Sequence, residues 1–246
     1  MALPMGATIT WYGHACVEIR TPGDRTILID PWFGNPLSPR RADQVERCDL
    51  MLVTHGHGDH LGDALALASR LRPAWPCIHE LSLWLSRQLP GGGDAVVGMN
   101  KGGTYACLGL DIGVTMTRAD HSAGDWNPDG GVPMYLGEPV GFVIELENGY
   151  RVYHAGDTQV FGDMALIREL HRPDLAILPI GGHFTMDPAG AAMAVELLGV
   201  RDVMPIHYGT FPLLAGTPDE LRAALAARGL GDVAVHAPEP GGSIGG

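Results

Sequence analysis

The segment Thr54-His55-Gly56-His57-Gly58-Asp59-His60 gathers three imidazoles and a carboxylate within seven residues. His55 and His57 are two apart, so on extended backbone their rings leave the same face and can grip one ion. Gly56 and Gly58 remove side chains where the chain must turn tightly. Beyond that turn, Asp59 and His60 point elsewhere and can grip a second ion. Imidazole nitrogen with carboxylate oxygen suits zinc, iron or manganese. The competing reading is a polar turn with three stray histidines. In a chain with 11 histidines among 246 residues, such a pattern arises by chance in roughly one sequence in several hundred.

One loop supplies too few ligands for two ions, so further histidines and aspartates are expected where later strands end. Three places qualify: Asp120-His121, His154-Ala155-Gly156-Asp157 and Ile206-His207. Each follows an apolar run that reads as a strand, and a rigid sheet positions site residues at such exits.

Short strands are expected at 8–12, 16–20 and 26–30, then a continuous apolar strand at 49–53 that feeds the histidine segment. Helices follow at 63–71 and 80–89. The middle is β-rich again (103–107, 112–117, 141–147, 151–153), and Asn148-Gly149 is a strong hairpin signal between its last two strands. From Thr158 onward helices (161–170, 188–198, 218–227) alternate with strands (175–178, 203–205, 233–235). Asp187-Pro188 marks one helix start and the capping box Thr217-Pro218-Asp219-Glu220 another. Two sheets face to face with helices on the outer faces would bury both strand sets, a four-layer αββα sandwich of the α/β class, in one domain spanning residues 1–246. A three-layer α/β fold satisfies the composition equally well.

Composition narrows the classes of function. The chain is 46% hydrophobic and 18% charged, with a formal net charge of −12. That charge repels polyanions and argues against an extended nucleic-acid contact. No stretch is apolar enough to span a membrane, and no signal-peptide pattern opens the chain, so the expectation is a cytoplasmic protein acting on a small molecule. Homo-oligomerisation is left open. Cys16, Cys48, Cys77 and Cys107 lack the spacing of zinc ligands and read as buried free thiols.

The order His-x-His-x-Asp-His, then His121, Asp157 and His207, resembles the five-motif pattern of the metallo-β-lactamase superfamily. Asp30 in Leu28-Ile29-Asp30-Pro31 matches its first motif, an aspartate that supports the ligand loop. The segments Thr54–Asp63, Tyr153–Met164, Leu178–Pro188 and Pro205–Pro212 are closer still to a bacterial branch of metal-dependent hydrolases related to the ascorbate-6-phosphate lactonases. The resemblance runs from Ala7 to Leu213 and implies the metallo-β-lactamase fold. It also implies two divalent ions, zinc foremost, with manganese, iron or nickel as alternatives. The first ion would take His55, His57 and His121, the second Asp59, His60 and His207, with Asp157 bridging. It further implies hydrolysis of a small ester, lactone or phosphodiester by metal-activated water, with Asp59 orienting that water. The branch usually carries a polar residue where Gly182 stands, so no local hydrogen bond to His183 is implied.

His183 is the candidate general acid; the alternative is a buried histidine holding a ligand or a carbonyl. His14 divides evenly between lining the site and a structural role, and His154 reads as supporting the ligands. His79, His171 and His236 read as surface or packing residues. Trp11, Trp32, Trp75 and Trp84 read as core, and Trp126, in the loop 122–137, as part of a substrate cover. Histidine at position 57, where the superfamily's redox branch has glutamate, favours hydrolysis. The alternatives to a small-molecule hydrolase are a metal-binding or ligand-sensing protein without turnover, and a nuclease of the same superfamily.

Overall fold

The computed structural model describes residues 6–89, 91, 93–107, 109–126 and 131–245. The first sheet is built from β1 (Thr8–Trp11), β2 (Val17–Arg20), β3 (Thr26–Ile29) and β4 (Leu50–Leu52), with β16 (Ser243–Gly245) on its outer edge. Its order is β16-β1-β2-β3-β4, and only the β3–β4 pair is parallel. A parallel pair, β5 (Trp75–Ile78) and β6 (Val96–Met99), continues it through a bridge between Leu50 and Ala74.

The second sheet runs β15-β14-β13-β12-β11-β8-β7. Its strands are β7 (Thr104–Cys107), β8 (Ile112–Arg118), β11 (Val140–Glu145), β12 (Arg151–His154), β13 (Leu175–Pro179), β14 (Asp202–Ile206) and β15 (Ala234–Val235). A short ribbon, β9 (Asp125–Trp126) with β10 (Pro133–Met134), stands apart from both.

Alternation along the strands explains the layers. Leu175 and Ile177 of β13 join the core between the sheets, as do Phe142 and Ile144 of β11 and Met204 and Ile206 of β14. The intervening Ala176, Leu178, Val143 and Val203 face a second core. That second core is closed by α4 (Met164–His171), α5 (Pro188–Leu198) and α6 (Pro218–Ala227). α2 (Ala64–Leu71) and α3 (His79–Gln88) pack their apolar stripes, Leu67 and Ala68 and then Leu81 and Leu85, into the first core. Each fully buried large apolar side chain is worth about 1.5–3 kcal/mol. Two sheets inside and helices outside make the expected αββα sandwich.

Both expected helix starts are formed. The Asp187 carboxylate accepts from Gly190 N at 2.8 Å, and Thr217 and Glu220 satisfy each other's backbone N–H. The sequence patterns do not predict β5, β6 and β16, nor the short β9–β10 pair. β5 contains Pro76, which argues against a strand, and β16 lies in a Gly/Pro-rich tail whose only signal is a distant partner.

Candidate metal centre

The first ligand loop leaves β4 and enters a single helical turn, α1 (Gly58–Leu61). Asp30, at the end of β3, anchors it. Its carboxylate accepts from Thr54 N at 2.7 Å, from the Thr54 hydroxyl at 2.8 Å and from His60 Nδ1 at 2.8 Å. With its proton given to Asp30, the Thr54 hydroxyl accepts from His55 Nδ1 at 3.0 Å. Both histidines are thereby fixed with Nδ1–H outward and a bare Nε2 turned into the site. Gly56 is required by the loop above it: a Cβ there would fall 2.5 Å from Leu136 Cδ1 and 3.0 Å from the Ala123 carbonyl.

The later strands deliver the remaining groups. His121 follows β8, Asp157 follows β12 and His207 follows β14. One oxygen of the buried Asp157, Oδ2, lies 3.0 Å from His207 Nε2, 3.3 Å from His60 Nε2 and 3.7 Å from His121 Nε2. His55 Nε2 lies 2.8 Å from His57 Nδ1. Three overlapping sets have donor atoms close enough to share an ion: His55, His57 and His121; His14, Asp59, His60 and His207; and His55, His60 and Asp157. All seven residues picked out by the motifs fall in these sets, and His14 is an addition.

The charges are consistent with a cation site. Burial pushes His55 and His121 below the ordinary imidazole range, which favours the neutral, ligating form. Burial also works against a charged His60, but Asp157 and Asp30 on either side outweigh it and raise its pKa, so a cation bound at Nε2 would take the place of a proton there. Burial opposes ionisation of Asp157, yet His207 and His60 hold its carboxyl well below the usual range. Asp59 is held low in the same way, chiefly by its hydrogen bond from His14 against the effect of burial.

Hydrogen-bond satisfaction gives an independent test. His60 Nε2, Asp157 Oδ1 and both ring nitrogens of His207 are buried without a hydrogen-bond partner. Each such group costs about 1–3 kcal/mol if left so. Bare imidazole nitrogens and a carboxylate oxygen converging on one space are the donor set of a divalent ion, so these residues fit the implied metal. His154 is also buried, accepting from Gly156 N at 3.1 Å, with its pKa lowered by burial to about 4; it stands outside the three sets.

His183 is not brought into the cluster. It is exposed, with a left-handed φ of 56°, and lines a groove with Asp187, Pro188, Leu213 and Glu220. The reading of it as a buried supporting histidine is therefore corrected: on an exposed turn it has no ligand to hold. The left-handed φ of 73° at Gly182 explains glycine there. Trp32 also departs from its expected core role. It is half-buried, 6.2 Å from the ring of Phe211, and its edge meets His14 at 5.2 Å. Only the fold could reveal this aromatic wall, because its two members lie far apart in sequence. The loop 122–137 closes on the ligand loop through Leu136 and Ala123, but the Trp126 side chain and residues 127–130 lie outside the described residues.

Residues 25–208 match the family described as the Beta-lactamase superfamily domain, which places the chain in the metallo-β-lactamase superfamily. It is 49% identical over 217 residues to a UPF0173 metal-dependent hydrolase of Koribacter versatilis, covering 88% of this chain and 90% of that protein. A relative from Rubrobacter xylanophilus is 46% identical over 241 residues, covering 98% and 97%. Among solved structures, Igni18, a metallo hydrolase from Ignicoccus hospitalis, superposes with a TM-score of 0.83 at 36% identity over 97% of each chain. An isothiocyanate hydrolase from Delia radicum gut bacteria shares the fold, with a TM-score of 0.73 at 17% identity. The chain belongs to the UPF0173 metal-dependent hydrolase family.

Proposed function

We propose that the chain is a metal-dependent hydrolase that holds two divalent ions, zinc foremost, and opens a small ester or lactone. The convergence of His60, His121 and His207 on one oxygen of Asp157, among buried nitrogens that lack partners, carries this reading. Divalent ions in such a site supply Lewis acidity, acidifying water and polarising the bond to be broken. Asp59 is the carboxylate of the cluster that reaches solvent, its side chain 34% exposed, and so is suited to orient an incoming water and accept its proton. His183, exposed in the groove it shares with Asp187 and Glu220, is the candidate to protonate the leaving group and would have to reach the bound substrate from outside the ligand cluster.

One observation favours an acyl substrate with an apolar portion. Trp32 and Phe211 offer an apolar wall beside Asp59's partner His14.

The chain should be stripped and reconstituted separately with zinc, manganese, iron and nickel. It should then be assayed on ester, lactone, phosphodiester and thioester panels. The expected results are about two ions per chain by elemental analysis and turnover of esters or lactones. Asp157→Ala should lose both, and His171→Ala neither. Trace metal after reconstitution would refute the site, and a phosphodiester preference would refute the substrate class.

A further inference from the structure

His14 sits with the second set of candidate ligands, yet its hydrogen bonding differs from theirs. A ligating imidazole must present a bare nitrogen. His60 and His207 do so, whereas both nitrogens of His14 are engaged. Nε2 lies 2.9 Å from Asp59 Oδ2 and Nδ1 lies 3.0 Å from Thr210 Oγ1. An ionised carboxylate only accepts, so Nε2 carries the hydrogen. In the neutral ring Nδ1 then accepts, and the Thr210 hydroxyl donates to it.

The backbone is arranged to keep this ring in place. His14 is fully buried and adopts a left-handed φ of 51°, a conformation that costs a non-glycine residue about 1–3 kcal/mol. Its carbonyl accepts from Trp11 Nε1 at 2.9 Å and from His207 N at 2.8 Å. Before it, Gly13 has a φ of 91°, and a Cβ there would fall 2.5 Å from Asn35 Oδ1. The rings of His207 at 4.0 Å, Trp32 at 5.2 Å and Phe211 at 5.8 Å enclose the imidazole.

We propose that His14 is a positioning residue: Thr210 fixes its tautomer, and its Nε2–H fixes the direction of the Asp59 carboxylate. The turn after β1, the loop after β14 and the helical turn α1 are thereby joined at one ring. The proposal rests on the assignment of Asp59 and His207 as ligands. Its consequence is that the second ion depends on two residues that never touch it.

Cobalt(II) titration of the metal-free full chain, read by visible absorbance and by equilibrium dialysis, tests this. Wild type should take up about two ions. His14→Phe keeps a ring but removes both hydrogen bonds, and should loosen the weaker ion by about 10–100-fold while sparing the tighter one. His14→Gln restores an N–H towards Asp59 and should recover most of that loss. Thr210→Val should shift affinity the same way by less. Wild-type affinity in His14→Phe would overturn the proposal. A His14→Gln variant as impaired as His14→Phe, with an altered cobalt spectrum, would make His14 a ligand and overturn it too. If His14→Phe does not fold, Thr210→Val decides alone, and unchanged affinity there refutes the coupling. A wild-type chain that takes up no cobalt would overturn the metal reading and this proposal with it.

Discussion

Asp30 stands behind the cluster, and its carboxylate takes three hydrogen bonds, two from Thr54 and one from His60. Removing it would leave a buried N–H, a hydroxyl and an imidazole N–H without their acceptor. Asp30→Ala should therefore cost about 3–5 kcal/mol of stability and weaken metal binding together. Denaturant unfolding with parallel metal analysis measures both, and a stable variant with full occupancy would contradict the arrangement. His183 makes the opposite case. As a general acid on an exposed turn, its replacement by Ala or Gln should leave both ions in place. Turnover of substrates with poor leaving groups should fall about 10²–10⁴-fold, while nitrophenyl esters change little. Equal losses on all substrates would assign it to substrate binding instead. The seven clustered residues are legible because motif spacing and strand ends point to their segments, and the family resemblance picks His121, Asp157 and His207 within those segments. His14 is not, because its role depends on Thr210 and Asp59, partners from distant segments.

Elements with self-contained signals were read most faithfully. Asn148-Gly149 turns between β11 and β12, Asp187 caps α5 and Thr217 caps α6. Thr217→Ala should cost about 1 kcal/mol in a thermal melt without affecting metal content, since α6 carries none of the proposed ligands. A change in occupancy would show that α6 also shapes the site. The elements that were missed lack such signals. β6 runs Val96-Val97-Gly98-Met99 just after a glycine-rich loop, and pairing with β5 makes it a strand. Sheet pairing of this kind is a tertiary effect, which propensity over a short window does not carry.

Across the whole molecule, the polar cluster lies at one rim of the sandwich, where strand ends from both sheets meet. The four cysteines are buried and unpaired, and burial raises their thiols, Cys48 to about 12 and Cys107 to about 11. An aromatic disulfide reagent at pH 8 should find them slow to react in the folded chain and all four reactive once it is unfolded. Rapid labelling before unfolding would contradict that burial. No helix among the described residues is long and apolar enough to cross a membrane.

The pairing of β16 with β1 carries a further consequence. Thr8 lies opposite Gly245, and Gly241 N and Gly242 O bond the backbone of Trp11, immediately before the turn that holds His14. Every proposed ligand lies before residue 208, so a chain ending at Pro240 would keep the full ligand set but leave β1 an open edge. Open edges recruit other strands. Such a truncation should melt earlier and scatter light increasingly with concentration, and a monodisperse variant of unchanged midpoint would refute this. The loop spanned by this contact adds little to the entropic cost of closure, which grows only with the logarithm of its length, but long-range pairing slows folding. During synthesis, then, the nascent chain carries its chemistry before it can shield its flank. Residues 243–245, made after every proposed ligand, act as the clasp.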